Sequence, residues 1–165
     1  MEKIKEVLDL FNGAGEFLEK TIEREQNISE GEFVKLVLIW IKNSKGQFLI
    51  QKTSKKRGGV YAVTGGHVKS GQSCEEACIS EIEEELGITA VKRELNYVGS
   101  FPYKNTRLFY TYCLLKEIDC KKLKYQKEEV DFAVWKNAEE IRELIENGEL
   151  RETSVISFDL LKTNY

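Results

Sequence analysis

The stretch GGHVKSGQSCEEACISEIEEELGI, from Gly65 to Ile88, decides how the chain is read. Its first half places Gly65, Gly66 and Gly71 around His67-Val68-Lys69-Ser70. Glycines remove the steric barrier to a backbone approaching a ligand, so this half reads as a loop that can come close to phosphate groups. The second half reads as a helix from Cys74 to Leu86. Ser73 is its N-cap, Glu76 the capping-box partner, and Gly87 the left-handed residue that ends it. With Glu81 set at zero, Glu84 lies at about 300° and Glu85 at about 40° around the helix, so three carboxylates share one arc. Ile79, Ile82 and Leu86 fall at about 100–160° and form the stripe expected to be buried, while Glu83 points away.

Such an arc is unfavourable for a plain solvated helix. Like charges at these spacings each cost about 0.2–0.5 kcal/mol, and Glu84 and Glu85 sit in the last turn, where the macrodipole disfavours anions. A hard divalent cation reverses both effects, because it wants several carboxylate oxygens at one point. The carboxylates alone are equally an ordinary acidic face; the glycine loop ahead of them tips the balance toward phosphoryl chemistry.

Outward from this stretch, strands and helices alternate, which predicts a mixed sheet with helices on its faces. Val34 to Ile41 is nearly all apolar and reads as a strand covered on both sides. Asn43-Ser44-Lys45-Gly46 turns it into Gln47–Gln51, and a basic loop, Lys55-Lys56-Arg57-Gly58-Gly59, precedes the short run Val60–Val63. Leu95 to Phe101, Arg107 to Leu115 and Val130 to Trp135 read as further strands, with helices over Ala138–Glu146 and Val155–Leu161. Near the N-terminus, Ile4, Val7, Leu8 and Phe11 also fit a helical face. The turn signal Asn12-Gly13-Ala14-Gly15 favours a β-hairpin instead. With no repeat and no linker, residues 1–165 are expected to form a single domain.

Composition narrows the function. Lys plus Arg is 25 against 28 Asp plus Glu, a net charge of −3, which argues against a general binder of nucleic-acid polymers. No apolar run approaches the ~20 residues of a membrane helix, and the opening Met1-Glu2-Lys3-Ile4-Lys5-Glu6 does not read as a secretory signal. Cys74, Cys78, Cys113 and Cys120 have no zinc-like spacing, and with one histidine in the chain they read as packing residues in a reducing compartment. A cytoplasmic location is expected.

On these residues the chain resembles the Nudix hydrolases. Their box reads G, five residues, E, seven residues, R-E-U, any residue, E-E, any residue, G-U, with U a bulky aliphatic. It maps without a gap onto Gly66 to Ile88, and Gly66, Glu81, Ile82, Glu84, Glu85, Gly87 and Ile88 all match. Two positions depart: Gln72 stands for the first box glutamate and Ser80 for the box arginine, which in the family braces the box carboxylates. The N-terminal hairpin and Trp40–Gly46 are similar to the subgroup related to isopentenyl-diphosphate isomerase. The isomerase itself is excluded, since its histidines are missing and Gly65 stands where its cysteine would be.

The resemblance implies an α/β fold, a Nudix-type α/β/α sandwich with a mixed β-sheet and an N-terminal hairpin extension. It implies Mg²⁺ or Mn²⁺ on Glu81, Glu84 and Glu85, and hydrolysis of a phosphoanhydride in a nucleoside diphosphate linked to another moiety. Glu84, Glu85 or an acid from another loop, here Glu129, would help deprotonate the attacking water; Glu129 is equally a solvated neighbour of Glu128. Gly65 and Gly66 would shape the approach of a small diphosphate substrate. Lys52, at a strand end, is the preferred phosphate ligand over Lys55, Lys56 and Arg57. Tyr61, Phe101 and Tyr103 could stack on a base or belong to the core, and His67 could meet substrate or hold the loop. Dimers are common in the family, so a homodimer stays open. The competing expectation is a Nudix-fold binding module, catalytically weakened at Gln72 and Ser80.

Overall fold

The computed structural model describes residues 5–164. The hairpin forms as expected, from β1 (Val7–Phe11) and β2 (Phe17–Glu23), paired antiparallel. Asn12 makes the turn: its Oδ1 accepts from the backbone N–H groups of Ala14 and Glu16. Ile4, part of the alternative helical face, lies outside the described residues.

A mixed sheet follows. Its strands are β3 (Val34–Lys42), β4 (Phe48–Thr53), β5 (Tyr61–Ala62), β6 (Thr64–His67), β7 (Leu95–Tyr103), β8 (Arg107–Leu115) and β9 (Val130–Lys136). The order runs β5-β4-β3-β8-β7, with β6 also on β3 and β9 also on β4. β3 and β8 run parallel, in register from Val34↔Arg107 to Lys42↔Leu115, and the other strand pairs described are antiparallel. The strands β3 and β4 meet at Lys42↔Phe48 and then part. Residues 61–67 fill the wedge, β5 against β4 and β6 against β3. That opening of the sheet positions the site.

Helix α1 (Cys74–Leu86) covers one face of the sheet, and α2 (Ala138–Glu146) with α3 (Glu152–Asn164) the other. The all-apolar β3 serves both layers. Leu36, Leu38 and Trp40 join Phe158, Leu161, Ile141 and Leu144 on one side, and Val37, Ile39 and Ile41 join Ala77, Cys78, Ile82 and Leu86 on the other. Trp40 ties the layers' register, its indole N–H donating to Ser157 Oγ at 2.9 Å while its ring packs on Phe48 and Phe158. Cys78 and Cys113 are buried, and all four cysteines are free thiols. Among the described residues no helix is long and apolar enough to cross a membrane.

The helix bounds expected for α1 and α2 hold, and α3 starts three residues earlier than expected, at Glu152. Ser73 Oγ caps α1 by accepting from Glu76 N at 3.1 Å; Gly87, at φ 68°, closes it with bonds to Glu83 and Ile82 carbonyls. The expected buried stripe is corrected. Ile79 is only half-buried, and the buried set is Ala77, Cys78, Ile82, Leu86 and Glu85. The helix is rolled toward β6 and β3, so one of its carboxylates goes inside with the apolar residues.

Candidate active site

Glu85 is 8 % exposed, and Gln51 from β4, 2 % exposed, donates to its Oε2 at 2.9 Å. Gln51 also donates to Thr64 Oγ1, so β4, β6 and α1 are joined by one buried polar chain. A buried carboxylate with one neutral donor is poorly compensated. Burial raises its pKa to about 7, with the Glu129 charge adding to the rise and the Gln51 bond opposing it. One turn back, Glu81 is raised further, to about 8, by burial and then by Glu85 and Glu84.

Glu81 lies against β6. A Cβ at Gly66 would stand 2.3 Å from its carboxylate carbon, so only glycine leaves room for the group there. Gly65 is needed for a different reason: a Cβ would stand 2.4 Å from the Val37 carbonyl oxygen, inside the β3–β6 ladder. Glu84 is exposed and faces Lys69, whose Nζ is 4.0 Å away.

Glu129 reaches the same place from the opposite side. The chain that caps the C-terminus of α1 leads to it: Lys124 N donates to Leu86 O and Gln126 N to Glu85 O. Its carboxylate forms an ion pair with Arg57, and its carbonyl accepts from Ser54 N at 3.0 Å. Arg151, at the start of α3, donates to Arg57 O at 2.6 Å. The basic loop is thus pinned rather than loose, through a single 3-10 turn over Lys55–Arg57.

Part of this set edges a cleft of about 610 Å³, and Glu81 and Glu84 are not among its lining residues. Gly65, Gly66, Glu85 and Glu129 line it, as do Gln51 and Thr53. Six cationic side chains also line it, Arg24, Lys56, Arg57, Lys104, Arg107 and Arg151, against the acids Glu25, Glu85 and Glu129. A chain with net charge −3 therefore carries a cleft with a cationic excess, which favours an anionic guest.

The structure does not bring Lys52 to this cleft. Side chains alternate along a strand; Gln51 and Thr53 take the cleft side of β4, and Lys52 takes the other, its Nζ 4.5 Å from the Tyr61 ring centroid. Lys56 and Arg57 line the cleft, and Lys55 does not. Phe101 is core, stacked on Phe109 at 5.3 Å, and Tyr61 packs beside the core, whereas Tyr103 and His67 line the cleft. Arg24, Arg107 and Arg151 were not legible from local pattern. Gln51 had one signal, a polar residue within the apolar run of β4.

The two departures from the box touch each other. Gln72 Nε2 donates to Ser80 Oγ at 3.3 Å, and Gln72 Oε1 accepts from Lys69 N at 3.0 Å. A neutral amide–hydroxyl contact therefore ties the glycine loop to α1 at these positions.

The donor set fits a hard divalent cation. Glu81 and Glu85 offer carboxylate oxygens whose ionised forms repel, and a cation would relieve that repulsion. The fit is partial: among the described residues no three His, Cys, Asp or Glu side chains close into a finished cage.

Comparison with known proteins accords with this geometry. The NUDIX domain model matches residues 33–161. An uncharacterised Nudix hydrolase of Listeria monocytogenes is 32% identical over 150 residues, covering 86% of this chain and 85% of its own. The NAD-capped RNA hydrolase NudC of Photorhabdus laumondii is 32% identical over 89 residues, 53% of this chain and 33% of NudC. A crystal structure of a Deinococcus radiodurans protein superposes with a TM-score of 0.72 at 24% identity, over 87% of this chain and 91% of that one, a likeness of fold.

Proposed function

Because the chain belongs to the Nudix hydrolase family, we propose that it hydrolyses a phosphoanhydride in a nucleoside diphosphate linked to another moiety, using Mg²⁺ or Mn²⁺. The observation that carries the reading is the buried carboxylate of Glu85 on the wall of a cleft rich in arginine and lysine, with Glu81 one helical turn behind it and repelled by it. The matched stretch of NudC, whose own named substrate is NAD-capped RNA, supports a nucleotide-derived substrate.

Glu81, Glu84 and Glu85 would hold the cation. When bound, it neutralises charge on the diphosphate and acidifies a water. Gly66 keeps the space in which Glu81 approaches β6. Arg57, Lys56 and Arg151 bind phosphate oxygens and withdraw charge from the leaving group. Water attacks phosphorus, the bridging P–O bond breaks, and the proton from water passes to Glu129, whose carboxylate Arg57 holds at the cleft wall. Gln51 keeps Glu85 aligned through its 2.9 Å bond.

The Gln72–Ser80 contact joins the glycine loop to α1 but reaches none of Glu81, Glu84 and Glu85, which keeps a weakened binding module as the second reading. The test is phosphate release across nucleoside di- and triphosphates, nucleotide sugars and dinucleotides, with Mg²⁺ and with Mn²⁺, beside Glu85→Gln. Turnover that vanishes in the variant is expected. Silence across the panel, with the cation still bound, would favour the binding module.

A further inference from the structure

The cationic side chains of the cleft fall into two sets. One, Lys56, Arg57 and Arg151, stands around Glu85 and Glu129 on the β4 side. The other, Arg24, Lys104 and Arg107, stands on the side of β8 and the hairpin. The rest of the lining carries no cation: it is apolar at Leu36 and Leu38 of β3, Val63 and Phe109 of β8, and neutral polar at Thr153 and Ser154 of α3. β8 lies next to β3, whereas β4 has parted from β3 with residues 61–67 in the gap, so the sets are separated by more than two strand spacings, more than about 10 Å.

The second set closes on one place. In the sheet His67 lies opposite Leu36 and Arg107 opposite Val34, and Arg24 arrives from the end of the hairpin. A second cavity of about 380 Å³, reaching to Leu8, Ile22 and Asn27, shares Arg24, His67 and Arg107 with the cleft. These three residues form the wall common to both. Arg24 pairs with Glu6 at 3.0 Å, and Glu6 is drawn also toward Lys69 at 3.9 Å. Arg107 is exposed and has no ion-pair partner among the described residues. Both arginines act on His67, and with burial they hold its pKa down at about 4, so near neutrality its ring is neutral and can donate one N–H.

Two guanidinium forks and an imidazole at one wall match the several oxygens of a phosphate. A continuous polyphosphate would leave the charge of its middle without a cation, against leucine, phenylalanine and neutral hydroxyls. Two charged ends joined by an uncharged organic part suit the lining, and Tyr103, edge-on to Phe109 at 5.8 Å, adds an aromatic surface beside that part.

We propose that Arg24, Arg107 and His67 form a second anion site, which takes a phosphomonoester carried on the non-reacting part of the substrate. The proposal rests on the hydrolase reading for the identity of the first site, and it narrows the substrate to a diphosphate bearing a further, separate phosphate.

The experiment compares pairs that differ by one phosphomonoester: ADP-ribose against its 2′-phosphate, and ADP against adenosine 3′-phosphate 5′-diphosphate. Dissociation constants are measured by calorimetry on the Glu85→Gln chain, so that nothing is consumed. The phosphorylated member of at least one pair is expected to bind ten times more tightly or better. Arg107→Gln, and separately Arg24→Gln, should bring that ratio to about one, while Lys55→Gln, removing a charge outside the cleft, should leave it. Equal affinity within both pairs, or a ratio untouched by either arginine variant, overturns the proposal. Absence of turnover by the unsubstituted chain, with the ratio and its loss intact, would sink the hydrolase reading and leave the anion site standing.

Discussion

At the Glu85 end of the cleft, a carboxylate is buried with a neutral amide as its hydrogen-bond donor; at the Arg107 end, a cation is exposed and, among the described residues, has no ion-pair partner. A buried carboxylate is costly to ionise, whereas an exposed guanidinium is hydrated at little cost. The first end is therefore set up to gain from an arriving cation, and the second to gain from an arriving anion. A diphosphate complexed with a divalent ion satisfies the first end, and the difference between the ends gives the substrate a direction in the cleft.

The hardest blow to this contrast is Glu85→Gln. It should lower kcat by about 10³-fold, measured with saturating Mg²⁺; a loss below tenfold would mean that the buried carboxylate is not at the reacting centre. Gly66→Ala should cost about 10²-fold, because displacing Glu81 by even an ångström misplaces it. Circular dichroism and melting of the same variant show whether the fold survives. Arg57→Gln should raise KM about tenfold, with a weaker salt dependence than the parent, as removal of one phosphate-binding charge requires.

Stability sharpens the contrast without any substrate. Below about pH 4.5, Glu81 and Glu85 are protonated whether the chain is folded or not, and burying them costs little. As pH rises toward the folded values of about 7 and 8, the unfolded chain releases protons that the folded one keeps, so metal-free stability falls. Glu81→Gln should flatten this decline and raise the melting temperature at pH 8 by about 4–8 °C, equivalent to about 2 kcal/mol. Added Mn²⁺ should produce a similar gain in the parent and less in the variant. The smallest effect is expected of Gln72→Glu with Ser80→Arg, at two positions that touch each other and not Glu81, Glu84 or Glu85: kcat should change less than about threefold.

The part of the site carried by one contiguous segment was legible in the sequence, and the cationic lining assembled from distant segments was not. Ser73, Gly87 and the spacing of Glu81, Glu84 and Glu85 are local signals, and α1 follows them. Lys52 lies near a strand end, but strand alternation decides which residues meet the cleft, and Gln51 and Thr53 hold that side. Apolar character alone puts Ile79 in the buried stripe, whereas the helix buries Glu85 and brings Glu81 against Gly66, where the missing Cβ leaves room for its carboxylate. Arg24, Arg107 and Arg151 come from a hairpin end, a strand start and a helix start, and nothing near each of them in sequence records where the others are.

The parallel seam of β3 and β8 has a consequence for how the protein is made. Its paired residues stand about 70 positions apart, so closing the seam carries a loop-entropy cost before its contacts are gained. The two sides of the cleft lie across that seam. While a ribosome is still adding the residues up to Leu115, the box helix can already be wound and capped, yet it has no opposite wall. For that interval, ~seconds at ordinary elongation rates, the nascent chain would carry its carboxylates with no cleft to work in.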